Sequence, residues 1–145
     1  DPGSLTIRGN LAGLETRLGN PRRGEELYRE VVEARTRLLG ADAPDTLSAR
    51  YGVANSLYKY NQLDAAIAEH TAILADSIRV NGPTDWFTAQ TRYALALALK
   101  HARRPEEAIE HARLASEQFT ALYGTDHERS KTAIELYAEL TAPPP

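Results

Sequence analysis

The side chains best suited to catalysis or metal binding in this sequence are four histidines, His70, His101, His111 and His127. A metal site on one helix would need two histidines four residues apart, and the sequence has no such pair. Glu107 and His111 do have this spacing, which usually indicates a surface pair. Neither a glycine-rich phosphate loop nor a nucleophile elbow is present. The sequence therefore predicts a protein that is not an enzyme and uses no metal or cofactor.

The composition narrows the choice of partners. A net charge of −3 gives no reason to expect nucleic acid or an anionic membrane as the partner. The absence of cysteine excludes disulfides, thiol catalysis and cysteine-based zinc sites. No apolar run approaches the roughly 18 residues that a membrane span needs. We therefore expect a cytoplasmic domain whose partners are proteins or peptides.

A period of 42 residues organises the chain, and the copies align without a gap. The recurring residues are an arginine, an alanine and a glycine: Arg8, Arg50 and Arg92; Ala12, Ala54, Ala96 and Ala138; Gly40, Gly82 and Gly124. A fixed period of this length is typical of proteins built from stacked repeats.

Each copy contains two helical patterns of apolar residues separated by a short break, and no strand-like alternation occurs. The pattern predicts seven helices in repeats at about 2–43, 44–85 and 86–127, a final helix at 126–141 and a tail at 143–145. Asn20 and Asp42 are predicted N-caps. Thr125 and Glu128 have the spacing of a capping box for the final helix.

The paired helices, with Asn10-Leu11-Ala12 in the first and Leu38-Leu39-Gly40 closing the second, resemble tetratricopeptide repeats. Residues 40–47 read Gly-Ala-Asp-Ala-Pro-Asp-Thr-Leu, which is similar to the Gly-x-x-His-Pro-Asp-Thr-Leu junction of the kinesin-light-chain subtype. The junction at Gly82 departs from that pattern. The resemblance implies an all-α, right-handed superhelical solenoid of antiparallel helix pairs, with three repeats and one extra C-terminal helix. It also implies that the first helices line a concave groove that holds a peptide or a partner helix.

Transferring the family's inward positions to this sequence places tyrosines beside amide and basic side chains in the middle of the groove. The predicted binding residues are Tyr51, Asn55, Tyr58, Lys59, Tyr93, Lys100 and His101. Amides can bond the backbone of an extended peptide, rings can cover its side chains, and cations attract its carboxylates. In the alternative interpretation the tyrosines are packing residues and the lysines only aid solubility.

Two further features have both a structural and a functional interpretation. Arg8, Arg50 and Arg92 could form an anion-binding row, but surface pairing with acids such as Asp45 is favoured, since exposed ion pairs are common and weak. Trp86, the only tryptophan, could cover helix ends or anchor a partner.

Two hypotheses for function follow. The first is a non-catalytic protein-interaction module, part of a larger bacterial signalling or regulatory protein. The Ala/Arg/Leu-rich composition without cysteine indicates the bacterial origin, and an opening Asp-Pro without methionine indicates a segment of a longer chain. The alternative is self-association, in which the end helices stack on another copy to give a homo-oligomer.

Overall fold

The computed structural model describes residues 1–145 and contains seven α-helices and no strand. The helices are α1 (Pro2–Arg17), α2 (Pro21–Leu39), α3 (Pro44–Lys59), α4 (Leu63–Asn81), α5 (Trp86–His101), α6 (Pro105–Tyr123) and α7 (Glu128–Thr141). Helices of 16 and 19 residues alternate through the first six, so each hairpin repeats the one before it. The predicted number of helices is confirmed.

Proline and glycine set the ends of several helices. Proline occupies the first turn of α1, α2, α3 and α6, where its missing N–H removes no helical hydrogen bond. Gly40 and Gly124 end α2 and α6 with φ angles of 94° and 86°, a conformation that costs glycine little.

Asn20 is the N-cap residue of α2, as predicted, but its side chain makes no capping bond and its amide donates instead to Glu15 at 2.9 Å. The other two predicted caps were wrong. The N-cap of α3 is Ala43, one residue after Asp42. Likewise, the final helix begins at Glu128, and His127 Nδ1 accepts a hydrogen bond from the N–H of Arg129 at 3.1 Å.

The N-caps of α3, α5 and α7 follow the 42-residue period. They are Ala43, Asp85 and His127, which are 42 residues apart. In each case the turn after the glycine is closed by a backbone hydrogen bond from the N-cap residue to that glycine. Thr125 therefore lies in the turn, where it cannot serve as the cap of a capping box.

The chain divides into two compact units, residues 1–76 and 77–145, with the division inside α4. In the first unit, α2 packs against both α1 and α3. A core cluster of Val53, Leu57 and Ala66 is flanked by half-buried side chains, which are Tyr28, Val32, Tyr58 and Tyr60.

In the second unit, α6 packs against both α5 and α7. Its core cluster contains Ala89, Ala115, Phe119 and Ala133, and Tyr93 packs against it. Three of the four cluster residues are alanines, which let neighbouring helices approach closely around the single Phe119 ring.

Three of the four recurring alanines occupy equivalent environments. Ala12, Ala54 and Ala96 are all fully buried, as the repeat predicts, whereas Ala138 on α7 is exposed. Gly24 on α2 marks the closest approach of α1, since a Cβ there would lie 2.0 Å from Thr16 Oγ1 and 2.9 Å from the carbonyl oxygen of Ala12. None of the seven helices combines the length and apolar character that crossing a membrane requires.

Candidate functional site

A cavity of about 440 Å³ lies between α1 and α3 in the first unit. Two of the predicted binding residues, Tyr51 and Asn55, line it. The other lining residues come from α1, α2 and α3 and are Thr6, Gly9, Asn10, Tyr28, Arg35, Asp45, Ser48, Ala49 and Gly52. We call this cavity the α1–α3 groove.

Tyr28 reaches the α1–α3 groove from α2, behind the two helices that form its walls. A Cβ on Gly13 of α1 would lie 2.9 Å from the Tyr28 hydroxyl, and a Cβ on Gly52 of α3 would lie 2.5 Å from its ring. Two glycines on different helices thus make room for one aromatic side chain. Burial raises the pKa of Tyr28, so its hydroxyl stays protonated at neutral pH and can donate a hydrogen bond.

The Tyr51 ring packs against His70 of α4. The rings of Tyr51 and His70 meet edge to face with centroids 5.1 Å apart. His70 is fully buried, and this burial lowers its pKa to about 4, which leaves the ring neutral at physiological pH. A packed, neutral imidazole therefore fixes the position of the tyrosine ring at the groove.

Amide and charged groups surround these rings. Asn10 and Asn55 contribute one amide each from α1 and α3, and each amide can both donate and accept hydrogen bonds. Arg35 from α2 donates to the backbone oxygen of Asp45 at 3.0 Å, which holds the guanidinium at the edge of the groove. The groove therefore combines hydrogen-bonding amides and aromatic surface with a positioned cation.

The remaining predicted residues lie elsewhere on the first helices. Tyr58 packs against the Val53–Leu57–Ala66 cluster, and Lys59 is exposed. In the second unit, Lys100 on α5 forms an ion pair with Glu139 on α7, and His101 is exposed.

Tyr93 on α5 lies against the second unit's core. Its pKa is raised by burial and by the nearby carboxylates of Glu139 and Glu135. The structure thus brings Tyr51 and Asn55 into one cavity, whereas Tyr93 and Lys100 lie beside acidic residues of α7.

The sequence analysis missed Tyr28, Asn10, Arg35 and Asp45 as parts of the groove. For Tyr28 a usable signal exists. Gly13 and Gly52 lie inside helices, where glycine costs about 1 kcal/mol relative to alanine. Such glycines indicate close approach by another group, here the ring from α2.

The row of arginines pairs with second helices. Arg8 binds Glu30 at 3.0 Å and Arg50 binds Asp76 at 2.7 Å, so the acids belong to α2 and α4, and neither arginine binds Asp45. Arg92 differs: its Nε is buried without a hydrogen-bond partner, and burial lowers the pKa of its guanidinium. Trp86 rests edge to face on Phe87 at 5.7 Å and leaves about half of its surface exposed.

These helix pairs define an all-α solenoid, and comparison with known proteins identifies the repeat family. The tetratricopeptide repeat family model matches residues 3–76, just over half of the chain. The chain therefore belongs to the tetratricopeptide repeat family. Tetratricopeptide repeats are generally protein–protein interaction modules and form a non-enzymatic scaffold.

Solved structures show the same fold. A Podosopora anserina protein described as a kinesin light chain with nearly identical TPR-like repeats is 17% identical, with a TM-score of 0.87 over 97% of this chain and 66% of its own. A single-substitution variant of that protein gives the same values over 96% of this chain. BtubC (BKLC) from P. vanneervenii is 24% identical, with a TM-score of 0.80 over 98% of this chain and 59% of its own.

The kinesin-light-chain resemblance is thereby confirmed at the level of the fold. The chain spans less than two thirds of the length of each of these structures. No curated protein sequence matches it.

Proposed function

We propose that this chain is a protein-interaction module that binds an extended segment of a partner in the α1–α3 groove. The observation that carries the proposal is the cavity itself, in which Tyr28, Tyr51 and two asparagine amides surround one space between two first helices. Membership of a family of interaction modules supports the same conclusion.

The groove offers a complementary group for each part of an extended peptide. Asn10 and Asn55 can bond both the N–H and the C=O groups of a peptide backbone. The Tyr28 hydroxyl donates to a carbonyl, while the Tyr51 ring covers a side chain. Arg35 attracts an acidic residue, since guanidinium and carboxylate form strong charge-assisted hydrogen bonds.

The other predicted residues contribute further contacts in this proposal. Tyr58 and Lys59 follow the groove residues on α3, and Tyr93, Lys100 and His101 form a contact surface on α5. We further propose that the module acts in the cytoplasm, inside a larger bacterial signalling or regulatory protein, as the Ala/Arg/Leu-rich composition without cysteine suggests.

The test uses peptides selected from a display library against this chain. For the strongest binder, Asn55→Ala should weaken binding at least tenfold in calorimetry, because the buried peptide group would lose its partner. Asn20→Ala is the matched control: it also removes one amide, but from the turn between α1 and α2, and it should leave affinity unchanged.

Equal affinities of the wild-type chain and the Asn55→Ala variant, with folding verified by an unchanged urea midpoint, would place the peptide elsewhere and refute the groove proposal. The same peptide tested against Lys100→Ala shows whether the α5 surface takes part in binding.

A further inference from the structure

Arg92 on α5 is the one arginine of the repeating row that forms no ion pair. In the preceding copy, Arg50 binds the carboxylate of Asp76 at 2.7 Å. The residue equivalent to Asp76 on α6 is Gln118, which carries no charge. An arginine guanidinium stays protonated at neutral pH even when it is partly buried, so Arg92 keeps a positive charge that no carboxylate of this chain neutralises.

Polar atoms without a partner gather around this arginine. Three of them are buried and make no hydrogen bond: Arg92 Nε, His111 Nδ1 and Gln118 Oε1. One repeat earlier, the equivalent residues line a single cavity of about 500 Å³, and they are Arg50, Glu69 and Asp76. Burial lowers the pKa of His111, and the charge of Arg92 lowers it further, which shows that the two side chains are close. The repeat thus brings three incompletely bonded side chains of the second unit to one place.

The balance of charge at these positions differs between the units. Two acids stand beside the arginine in the first unit, whereas the second unit has a histidine and an amide there. Burial lowers the pKa of Arg92, and the carboxylate of Glu110 offsets part of this lowering. Both oxygens of Glu110 bond to Arg113, however, with one of them 2.9 Å from Nε. The Arg92 guanidinium therefore lacks the carboxylate that its counterpart in the first unit has.

Arg92 and His111 each present a donor at the surface. The terminal nitrogens of Arg92 bond to no protein group and are not among the buried atoms, so they reach the surface. The same holds for His111 Nε2, whereas Nδ1 is buried and has no acceptor for a proton. The proton of the neutral ring therefore belongs on Nε2, which can donate it to a ligand. A guanidinium beside an imidazole N–H suits an oxyanion.

We propose that Arg92 and His111 form a binding site for a carboxylate, supplied either by an acidic side chain of a partner or by a free carboxylic acid. The ligand would take the place that Asp76 occupies beside Arg50 in the first unit. Gln118 does not compete for the arginine, since its amide nitrogen donates to the backbone oxygen of Pro83 at 2.8 Å. The site belongs to the second unit and shares no residue with the α1–α3 groove.

Titration of the whole chain with sodium acetate, exchanged for sodium chloride at constant ionic strength, tests the proposal. In NMR spectra of the histidine rings, the His111 resonances should shift saturably, with a dissociation constant on the order of tens of millimolar for a small ion held by two donors. The pKa of His111 should rise on binding, because a negative ligand favours the protonated ring. The exposed rings of His101 and His127 are internal controls and should show no saturable shift.

Two pairs of variants identify the site. Arg92→Gln should raise the dissociation constant for acetate by about tenfold or more, because it removes the charged donor. Arg8→Gln is the matched control, since Arg8 has the equivalent position in the first copy and is paired with Glu30. Gln118→Asp should weaken binding as strongly as Arg92→Gln, because it supplies the missing carboxylate from within the chain. Gln118→Asn shortens the side chain equally without adding charge and should leave acetate binding intact.

A blocked tripeptide with a central glutamate distinguishes the two sources of the carboxylate, with central glutamine as its control. Tighter binding of the glutamate peptide than of acetate would assign the site to an acidic side chain of a partner. Binding of acetate with exclusion of the peptide would assign it to a free carboxylic acid. An unsaturable shift of His111, an unchanged dissociation constant in Arg92→Gln with an unaltered urea midpoint, or equal effects of Gln118→Asp and Gln118→Asn would overturn the proposal.

Discussion

The two units differ in which of two packed helices carries the large side chain at equivalent repeat positions. In the first unit, Tyr28 from the second helix α2 fills the space over Gly52 on α3. At the same repeat positions in the second unit, α6 carries Ala112 and α7 carries Leu136, both buried. The large side chain comes from the second helix in one unit and from the first helix in the other.

This exchange changes the surface of the first helices. In the first unit it brings a tyrosine hydroxyl to the groove, and Gly9 and Gly13 leave room on the α1 side. In the second unit, side chains of α5 and α7 contact one another, Lys100 with Glu139 and Gln90 with Arg129. Gly9 therefore leaves the surface of α1 open, whereas Gly13 and Gly52 make room for Tyr28.

Acid should reveal the largest difference between the units. Burial lowers the pKa of His70 to about 4, whereas an unfolded chain has a histidine pKa near 6.5. The unfolded state takes up the proton first, so the stability is fully present above pH 6.5 and is lost as pH falls towards 4. We expect a decrease of about 3 kcal/mol in the free energy of unfolding across this window.

Urea unfolding at a series of pH values measures this decrease. His70→Phe should abolish most of it, while His101→Gln, a change at an exposed histidine, should preserve it. His111 of the second unit should contribute less, because it is only half-buried and Glu110 partly offsets the lowering of its pKa by burial and by Arg92. If the variant lacking His70 showed the full decrease, the origin of the pH dependence would lie elsewhere.

Gly52→Ala should have the next largest effect. Its Cβ would lie 2.5 Å from the Tyr28 ring, and displacing that ring from a packed site should cost about 1–3 kcal/mol in urea unfolding. Gly9→Ala is the matched control, since nothing lies within 4 Å of its Cβ. That change should stabilise the helix by up to about 1 kcal/mol.

A double variant extends the same comparison. Tyr28→Ala combined with Gly52→Leu gives the first unit the residues that the second unit has at the equivalent positions, Ala112 and Leu136. The double variant should recover most of the stability lost in Gly52→Ala but fail to bind the groove peptide. If Gly52→Ala alone left stability unchanged, the Tyr28 ring would not be fixed by the two glycines.

The sequence was sufficient to predict the helices because the 42-residue spacing of Ala12, Ala54 and Ala96 reports packing directly. Tyr51 and Asn55 were predicted as inward-facing residues from the family resemblance, which supplied the inward positions of the first helices. The sequence did not predict Tyr28, whose place in the groove depends on Gly13 and Gly52 from two other helices. A contact among three helices leaves no single spacing in the sequence.

The recurring arginines Arg8, Arg50 and Arg92 show a second limit of prediction from the sequence. A regular spacing predicted that these side chains would share a role, but their partners follow from the second helices. Arg50 pairs with Asp76, and the residue equivalent to Asp76 in the next copy is Gln118. Arg92 consequently cannot form the same ion pair, although its own position is conserved within the repeat.

The smallest predicted effect compares hydroxyl groups at one repeat position. Thr46 and Thr88 donate hydrogen bonds at 2.8 Å to Gly40 and Gly82, whereas the hydroxyl of Ser130 is buried without a partner. Thr46→Val should therefore cost about 1 kcal/mol in urea unfolding, and Ser130→Ala less than about 0.5 kcal/mol. Ser130→Thr should gain stability, because the extra methyl group restricts the rotation that lets the serine hydroxyl turn away from the Gly124 carbonyl. Equal losses in Thr46→Val and Ser130→Ala would mean that both hydroxyls bond alike in solution, and the difference between the two junctions would disappear.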